Sequence, residues 1–248
     1  MLPILHIGPL ALQTPGLILL VGLWLGLDLS ERHALRDQRI AGRIYHLAMI
    51  SLIAGVVGAR LGYAAQYPAA FLKSPLGLLS LSPQMLDPLV GILAAALALL
   101  IYVQRKGLPL LAVLDVFASL LAVLAVAAGF ANLASGDAFG APASLPWSID
   151  LWGARRHPTQ VYQILAALGV LAIIWPAPWN PIARRLFVHP GVRFWLFLAL
   201  SALTRILVET YRGDSLLVLD RFRQAQLLAW LLLAVSLWQI GRQVFRQS

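Results

Sequence analysis

Seven apolar runs constrain this chain more than any other feature. They lie at approximately 10–29, 44–66, 88–103, 109–134, 160–178, 192–211 and 224–241. An α-helix needs about 17 to 25 such residues to cross a bilayer, a length that all but the rather short third run meet. Composition agrees, since 60% of the 248 residues are hydrophobic and only 12% charged, whereas a soluble domain carries roughly 25% charged residues. The expectation is an all-α fold, a polytopic membrane helix bundle of about seven transmembrane helices, built as a single integral membrane domain over residues 1–248. No basic segment precedes the first run, so no signal peptide is expected.

Lys and Arg counts in the connections give the orientation. Arg32, Arg36, Arg39, Arg43, Arg105, Lys106, Arg184, Arg185, Arg193, Arg242 and Arg246 make eleven on one side. Lys73, Arg155, Arg156, Arg212, Arg221 and Arg223 make six on the other, with Arg60 and Arg205 inside the runs. The richer side is expected to be cytoplasmic, which leaves the N-terminus outside and the C-terminus inside. The net charge of +9 then reads as a topology signal and an attraction to anionic headgroups. Nucleic-acid binding is excluded, because the cytoplasmic loops are too short to fold a basic domain. With no cysteine, the chain has neither disulfides nor a thiol nucleophile.

Charges inside a bilayer cost about 2.5 to 3.5 kcal/mol each on insertion scales and tend to mark function. Arg60 lies in "GVVGARLGY", where Gly55, Gly58 and Gly62 allow close helix approach or room for a ligand; an arginine snorkelling to the interface is the plainer alternative. In "RILVETYR", spacings of four and three put Arg205, Glu209 and Arg212 on one helical face. A self-neutralising structural pair is open there, but two arginines with one carboxylate make a net positive pocket suited to a phosphate.

Two further places qualify. Asn132, Ser135 and Asp137 follow the fourth run in "AGFANLASGDAFG", which also reads as a plain loop after a helix. In "RRHPTQVYQ", Thr159 is a candidate helix cap, with His157, Gln160, Tyr162 and Gln163 beside it. Trp147 and Trp152 read as anchors of the long 135–159 connection. Asp28, Asp115, His46 and His189 read as interfacial, capping or loop groups, and His33, among the basic residues of the first connection, as solvated. No histidine spacing suits a metal, and nothing points to a cofactor. The functional candidates all fall on the outer half of the expected topology.

With these motifs in hand, the chain resembles the prolipoprotein diacylglyceryl transferases, seven-helix bacterial enzymes that move a diacylglyceryl group from phosphatidylglycerol to a prolipoprotein's lipobox cysteine. "RRHPTQVYQ" is similar to the family's R-H-P-[ST]-Q-L-Y-E through His157, Pro158, Thr159, Gln160 and Tyr162. "RILVETYR" is similar to R-x-x-x-E-x-x-R, and "GARLGY", with Arg60 and Tyr63, to G-x-R-[IL]-G-Y. "AGFANLASGDAFG" resembles G-R-x-G-N-F-x-N-G-E-x-x-G, keeping Asn132, Gly136 and Gly140 with Asp137 for the Glu. The opening "IGPLALQTPG" resembles the family's start, with Pro15 replacing a tyrosine. Gly129 stands where the family has an arginine held important for phosphate recognition, and Leu86-Asp87-Pro88 where it has H-G-G with the proposed catalytic histidine.

The resemblance implies a bacterial plasma-membrane enzyme whose partners are phosphatidylglycerol and lipobox-bearing prolipoprotein signal peptides. It implies Arg205, Glu209 and His157 as catalytic groups, with Arg60, Tyr63, Asn132, Asp137, Gly140, Gln160, Tyr162 and Arg212 around the substrate. Arg60 and Arg205 are then expected to converge on one lipid phosphate beneath the outer leaflet. A non-catalytic relative that binds anionic phospholipid or lipidated partners is the alternative, motivated by Gly129 and the missing histidine. A small transporter is a third reading, and would need a polar path to both faces.

Overall fold

The structure is a computed structural model and describes residues 4–7, 10–35, 38–73, 77, 85–175, 180–182, 187–218 and 222–245. Seven long helices fall on the seven apolar runs. They are α1 (Thr14–Ala34), α2 (Ile44–Gln66), α4 (Pro88–Arg105), α5 (Leu110–Ser135), α6 (Thr159–Ile174), α7 (Val192–Glu209) and α8 (Gln224–Phe245), with a six-residue helix, α3 (Pro68–Lys73), after α2. Five of them, α1, α2, α4, α5 and α8, are long and apolar enough to cross a membrane. Helix α6 has 16 residues, and α7 carries Arg193, Arg205 and Glu209 among its 18.

The helices present large apolar side chains outward. Trp24, Leu89, Leu165 and Leu231 are each more than 60% exposed, an arrangement that fits hydrocarbon and would aggregate in water. In lipid the backbone polar groups must bond within their own segment, which selects helices. The chain is a membrane protein of helical-bundle type.

Short strands were not expected. Among the described residues there are three two-stranded antiparallel ribbons: β1 (Ile4–Ile7) with β2 (Leu10–Gln13), β3 (Ile149–Leu151) with β4 (Ala154–Arg156), and β5 (Leu217–Val218) with β6 (Phe222–Arg223). The first apolar run therefore begins as a strand, and its helix starts at Thr14. The β3–β4 ribbon turns through Trp152 and Gly153, both at positive φ, the hand that matches the twist of a tight hairpin.

The chain divides into two compact units, Ala34–Val113 and Met1–His33 with Leu114–Ser248. In the first, α2 packs on α4 at close range. A Cβ at Gly58 would lie 2.3 Å from the Cβ of Ala94, so these glycines serve helix approach. The Leu86-Asp87-Pro88 stretch starts α4: the Asp87 carboxylate accepts from Val90 N at 3.0 Å and Pro88 occupies the first helical position, both favourable for an N-terminus.

The second unit holds α1, α5, α6, α7 and α8. Small residues fill its contacts, as lipid-embedded packing requires: Ala118 and Ala122 of α5 meet Val170 and Ile174 of α6 and Phe197 of α7, while Ala202 and Ile206 of α7 meet Ala229 of α8. At the N-terminal end of α7, Asp115 caps the helix from α5, accepting from Gly191 N at 2.5 Å and Phe194 N at 2.9 Å.

Two expectations are corrected here. Arg193, counted with the fifth connection, is buried in the first turn of α7, where it donates to the Ile174 carbonyl at 3.0 Å, to Ser119 Oγ, and to His33 Nδ1 at 3.1 Å. His33 is consequently not solvated. Its Nδ1 also lies 2.7 Å from Ser119 Oγ and its ring meets Trp175 edge-on, because the last turn of α1 lies against α5.

Candidate functional site

Three sequence segments far apart in the chain meet at the C-terminal ends of α5 and α7. Helix α5 stops before Gly136, whose positive φ and N–H bond to Asn132 O at 2.9 Å turn the chain away. The following residues pair with the segment after α7. Ala141 N donates to Tyr211 O at 2.7 Å, Gly213 N to Phe139 O at 2.9 Å, and Gly140 bridges Arg212.

The same loop is tied to the start of α6. His157 N donates to Ala141 O at 3.1 Å, Gln160 Nε2 to Asp137 O at 2.9 Å, and Thr159 Oγ1 to Ala138 O at 2.6 Å. This corrects the expected role of Thr159. The helix is capped at Pro158 without a side-chain bond, and the hydroxyl, 1% exposed, anchors the loop instead. Ala138 is thereby held at φ 55°, a left-handed conformation that a non-glycine residue adopts only under constraint. Gly140 needs its missing side chain, since a Cβ there would lie 2.2 Å from the His157 carbonyl.

The charged cluster sits beside this junction. Helix α7 ends at Glu209, and a tight turn brings Arg212 back (Arg212 N to Glu209 O, 3.2 Å). Arg205 Nη2 lies 3.0 Å and Arg212 Nε 3.9 Å from Glu209 Oε2. Glu209 is 1% exposed, and among the described residues its Oε2 takes no hydrogen bond of good geometry while facing the charges of Arg205 and Arg212. The Arg205 side chain is 40% exposed.

The sequence reading counted two arginines against one carboxylate. Asp214 corrects that count, because its carboxylate takes two bonds from Arg212, at 2.8 and 2.6 Å, the two-point geometry of a guanidinium–carboxylate pair. Burial pushes the Asp214 carboxyl up. The hydrogen bond and charge of Arg212, with Arg205 beyond, outweigh that and hold it below the ordinary carboxylate range.

Two cavities adjoin the cluster. One, of about 270 Å³, is lined by Arg205, Glu209, Arg212, Asp214 and Ser215 with apolar residues of α8. The other, of about 130 Å³, lies among α5, α6 and α7 and is largely apolar, with Gln163, Ser201, Thr204 and Arg205 as its polar lining. Arg205 is in the wall of both.

Around them, Asn132 Nδ2 reaches Gln163 Oε1 at 3.4 Å, and the Asp137 side chain is exposed. The fully buried Gln160 leaves its Oε1 without a hydrogen bond among the described residues. The His157 Nδ1 stands 3.5 Å from the Tyr162 hydroxyl, which accepts from Trp147 Nε1 at 2.8 Å, and Tyr211 packs against both rings. Among the described residues no three His, Asp or Glu side chains are grouped as metal ligands.

Arg60 and Tyr63 belong to the other unit. Arg60, buried, donates to Met85 O at 2.9 Å and to Gly77 O, and lies over the Phe71 ring. Tyr63 stacks on Tyr67 at 4.9 Å.

The family model described as "Prolipoprotein diacylglyceryl transferase" matches residues 3–241. The chain belongs to the prolipoprotein diacylglyceryl transferase family. Curated relatives named phosphatidylglycerol–prolipoprotein diacylglyceryl transferase include that of Synechococcus elongatus, 29% identical over 96% of this chain and 85% of its own. That of Rhizobium meliloti is 28% identical over 96% and 90%. The Nostoc protein is 25% identical over 94% and 86%.

Within this prolipoprotein diacylglyceryl transferase fold, the missing signature arginine has a structural counterpart. Gly129 faces α6 so closely that a Cβ would lie 2.6 Å from Ile164 Cγ1 and 3.4 Å from the Ile164 backbone. A side chain there requires Ile164 to shift or the two helices to part. Asp214, Tyr211 and Arg223 escaped the sequence reading. Asp214 carried a faint signal, its position two residues past Arg212, where a turn returns a carboxylate to its neighbour.

Proposed function

We propose that this protein transfers a diacylglyceryl group from phosphatidylglycerol to the lipobox cysteine thiol of a prolipoprotein, as a multi-pass enzyme of the bacterial plasma membrane. On this reading the chain is one integral membrane domain of seven crossings, with the N-terminus outside, the C-terminus cytoplasmic and the site open to the outer leaflet. The observation that carries it is the hydrogen-bonded junction of three motif segments, 132–141, 155–163 and 205–214, beside a cavity walled by Arg205 and Arg212, in a chain that matches the family along nearly its whole length.

In the reaction the cysteine sulfur bonds to the glyceryl carbon, the bond from that carbon to the phosphate oxygen breaks, and glycerol phosphate leaves while a base takes the thiol proton. Arg205, aided by Arg212, holds the phosphate and meets the charge that grows on it. Fixed cations aimed at developing charge in a water-poor site give typically 10²- to 10³-fold per donor. Glu209 orients both guanidinium groups.

A thiol with pKa near 8.5 needs a base or a positive field at neutral pH. We assign the base to His157, whose Nδ1 stands against the Tyr162 hydroxyl and whose backbone joins the loop that carries Asp137 and Gly140 beyond Asn132. Gln160 and Tyr162 shape the headgroup site, and the apolar cavity beside Arg205 takes the first methylenes of an acyl chain. Arg60 and Tyr63, in the first unit, are proposed as further substrate-binding residues.

The test is incubation of purified protein with phosphatidylglycerol vesicles and a lipobox peptide, followed by the peptide's mass. Wild type should add a diacylglyceryl group in thioether linkage; folded protein that leaves the peptide unchanged refutes transfer. That outcome, with phosphatidylglycerol still bound, would favour the second reading, a lipid-binding relative without turnover. The close packing at Gly129 and the helix-starting role of Leu86-Asp87-Pro88 support that alternative.

A further inference from the structure

Within the larger cavity the charges of the described motif residues cancel, since Arg205 and Arg212 face Glu209 and Asp214. A neutral wall binds a phosphate without preference for the rest of the headgroup. The sign of the site is then set by any further charge beside this wall, and among the described residues Arg223 supplies one.

Arg223 ends the β5–β6 ribbon, immediately before α8, and is half-buried. Its Nη1 donates to the Arg212 carbonyl at 3.2 Å and to Ser215 Oγ at 3.3 Å. Ser215 lines the cavity, so the guanidinium stands against the cavity wall, with Nη2 outside both of these bonds. The ribbon fixes this placement, because Phe222 pairs with Val218 and Arg223 with Leu217, and Gln224 N bonds to Leu216 O at 3.0 Å.

We propose that Arg223 is a specificity-determining residue, giving the cavity its net positive charge and selecting a phospholipid headgroup with net negative charge over a zwitterionic one. The inference rests on the transfer reading only for the identity of the natural lipid; the selection itself concerns binding. A planar guanidinium suits the role because it keeps its charge when partly buried and offers donors to two acceptors at once.

The test is competition binding. Purified protein is equilibrated with mixed micelles holding equal phosphatidylglycerol and phosphatidylethanolamine, and the bound ratio is read by native mass spectrometry. Wild type should retain an excess of phosphatidylglycerol. Arg223→Gln should lower that excess about tenfold, the order of one unit charge acting across a partly buried site. Arg223→Lys should keep it within about threefold, because the charge remains. The double variant Arg223→Gln with Asp214→Asn should recover the preference, since removing Asp214 releases the charge of Arg212.

An unchanged ratio in folded Arg223→Gln overturns the proposal, as does a wild type with no preference. So does a double variant no better than Arg223→Gln. Transfer and selection fail separately: a lipobox peptide left unmodified by wild type refutes the transfer reading, whereas a normal peptide product with an unmoved lipid ratio refutes only the role of Arg223.

Discussion

The two ends of α5 and α7 both bury charge, yet they treat it in opposite ways. At the N-terminal end, Asp115 spends its carboxylate on two backbone N–H groups of α7, and Arg193 spends its donors on Ile174 O, Ser119 and His33. At the C-terminal end, Glu209 Oε2 and Gln160 Oε1 are buried without a hydrogen bond among the described residues, and Arg205 opens into two cavities. Buried polar atoms left unbonded cost about 1 to 3 kcal/mol each. Of the two ends, the C-terminal one opens its buried charge to cavities, and it is there that we propose a ligand binds.

The largest expected contrast is between the two arginines. Arg205→Ala should leave the fold intact and lower peptide conversion at least about 100-fold, the effect of one transition-state charge donor. Arg193→Ala should do the reverse, costing about 3 kcal/mol through the partners it strands and lowering thermal stability while the folded fraction keeps its turnover. Activity per folded molecule, measured beside a melting curve, separates them. Equal losses of both kinds in both variants would erase the distinction.

Next comes Gly129. Gly129→Ala should destabilise by about 1 to 3 kcal/mol through overpacking against Ile164, and Ile164→Ala in the same chain should recover much of it. Gly129→Arg should not raise activity, because its side chain has no room. A gain in turnover from that arginine would show that α5 and α6 part readily.

Asp115→Ala should cost about 1 kcal/mol, the loss of a helix cap, with turnover per folded molecule unchanged.

The smallest effect concerns acid. The Asp214 carboxyl sits below its ordinary range through Arg212, so its folded form is the poorer proton binder. Stability from the pair is then fully present above the unfolded value near pH 4 and fades as pH falls through the lower folded value. The melting-temperature difference between wild type and Asp214→Asn should be flat above about pH 5 and shrink in stronger acid.

Much of this was legible in the sequence. The seven apolar runs became seven long helices, because segment length and hydrocarbon leave the backbone little choice. The ribbons were not legible: two to four residues per strand carry too little alternation, and β2 lay hidden in an apolar run. The site motifs were legible as segments, and Arg205 with Glu209 followed from helical spacing alone.

Contacts made across the fold were not. Thr159 looked like a cap because it opens a helix, and only the loop at Ala138 shows where its hydroxyl goes. His33 looked solvated because its chain neighbours are basic, whereas its spatial neighbours are Ser119, Trp175 and Arg193. Asp214 and Arg223 change the charge of the cavity from positions with no repeating pattern to reveal them.

The most direct measurement is glycerol phosphate released per lipobox peptide converted, for wild type and Arg205→Ala, each normalised to the folded protein present. Wild type should release one for each thioether formed, and the variant should fall at least about 100-fold while folded and stable. A folded Arg205→Ala that matches wild type would contradict the assignment of the lipid phosphate to the C-terminal end of α7.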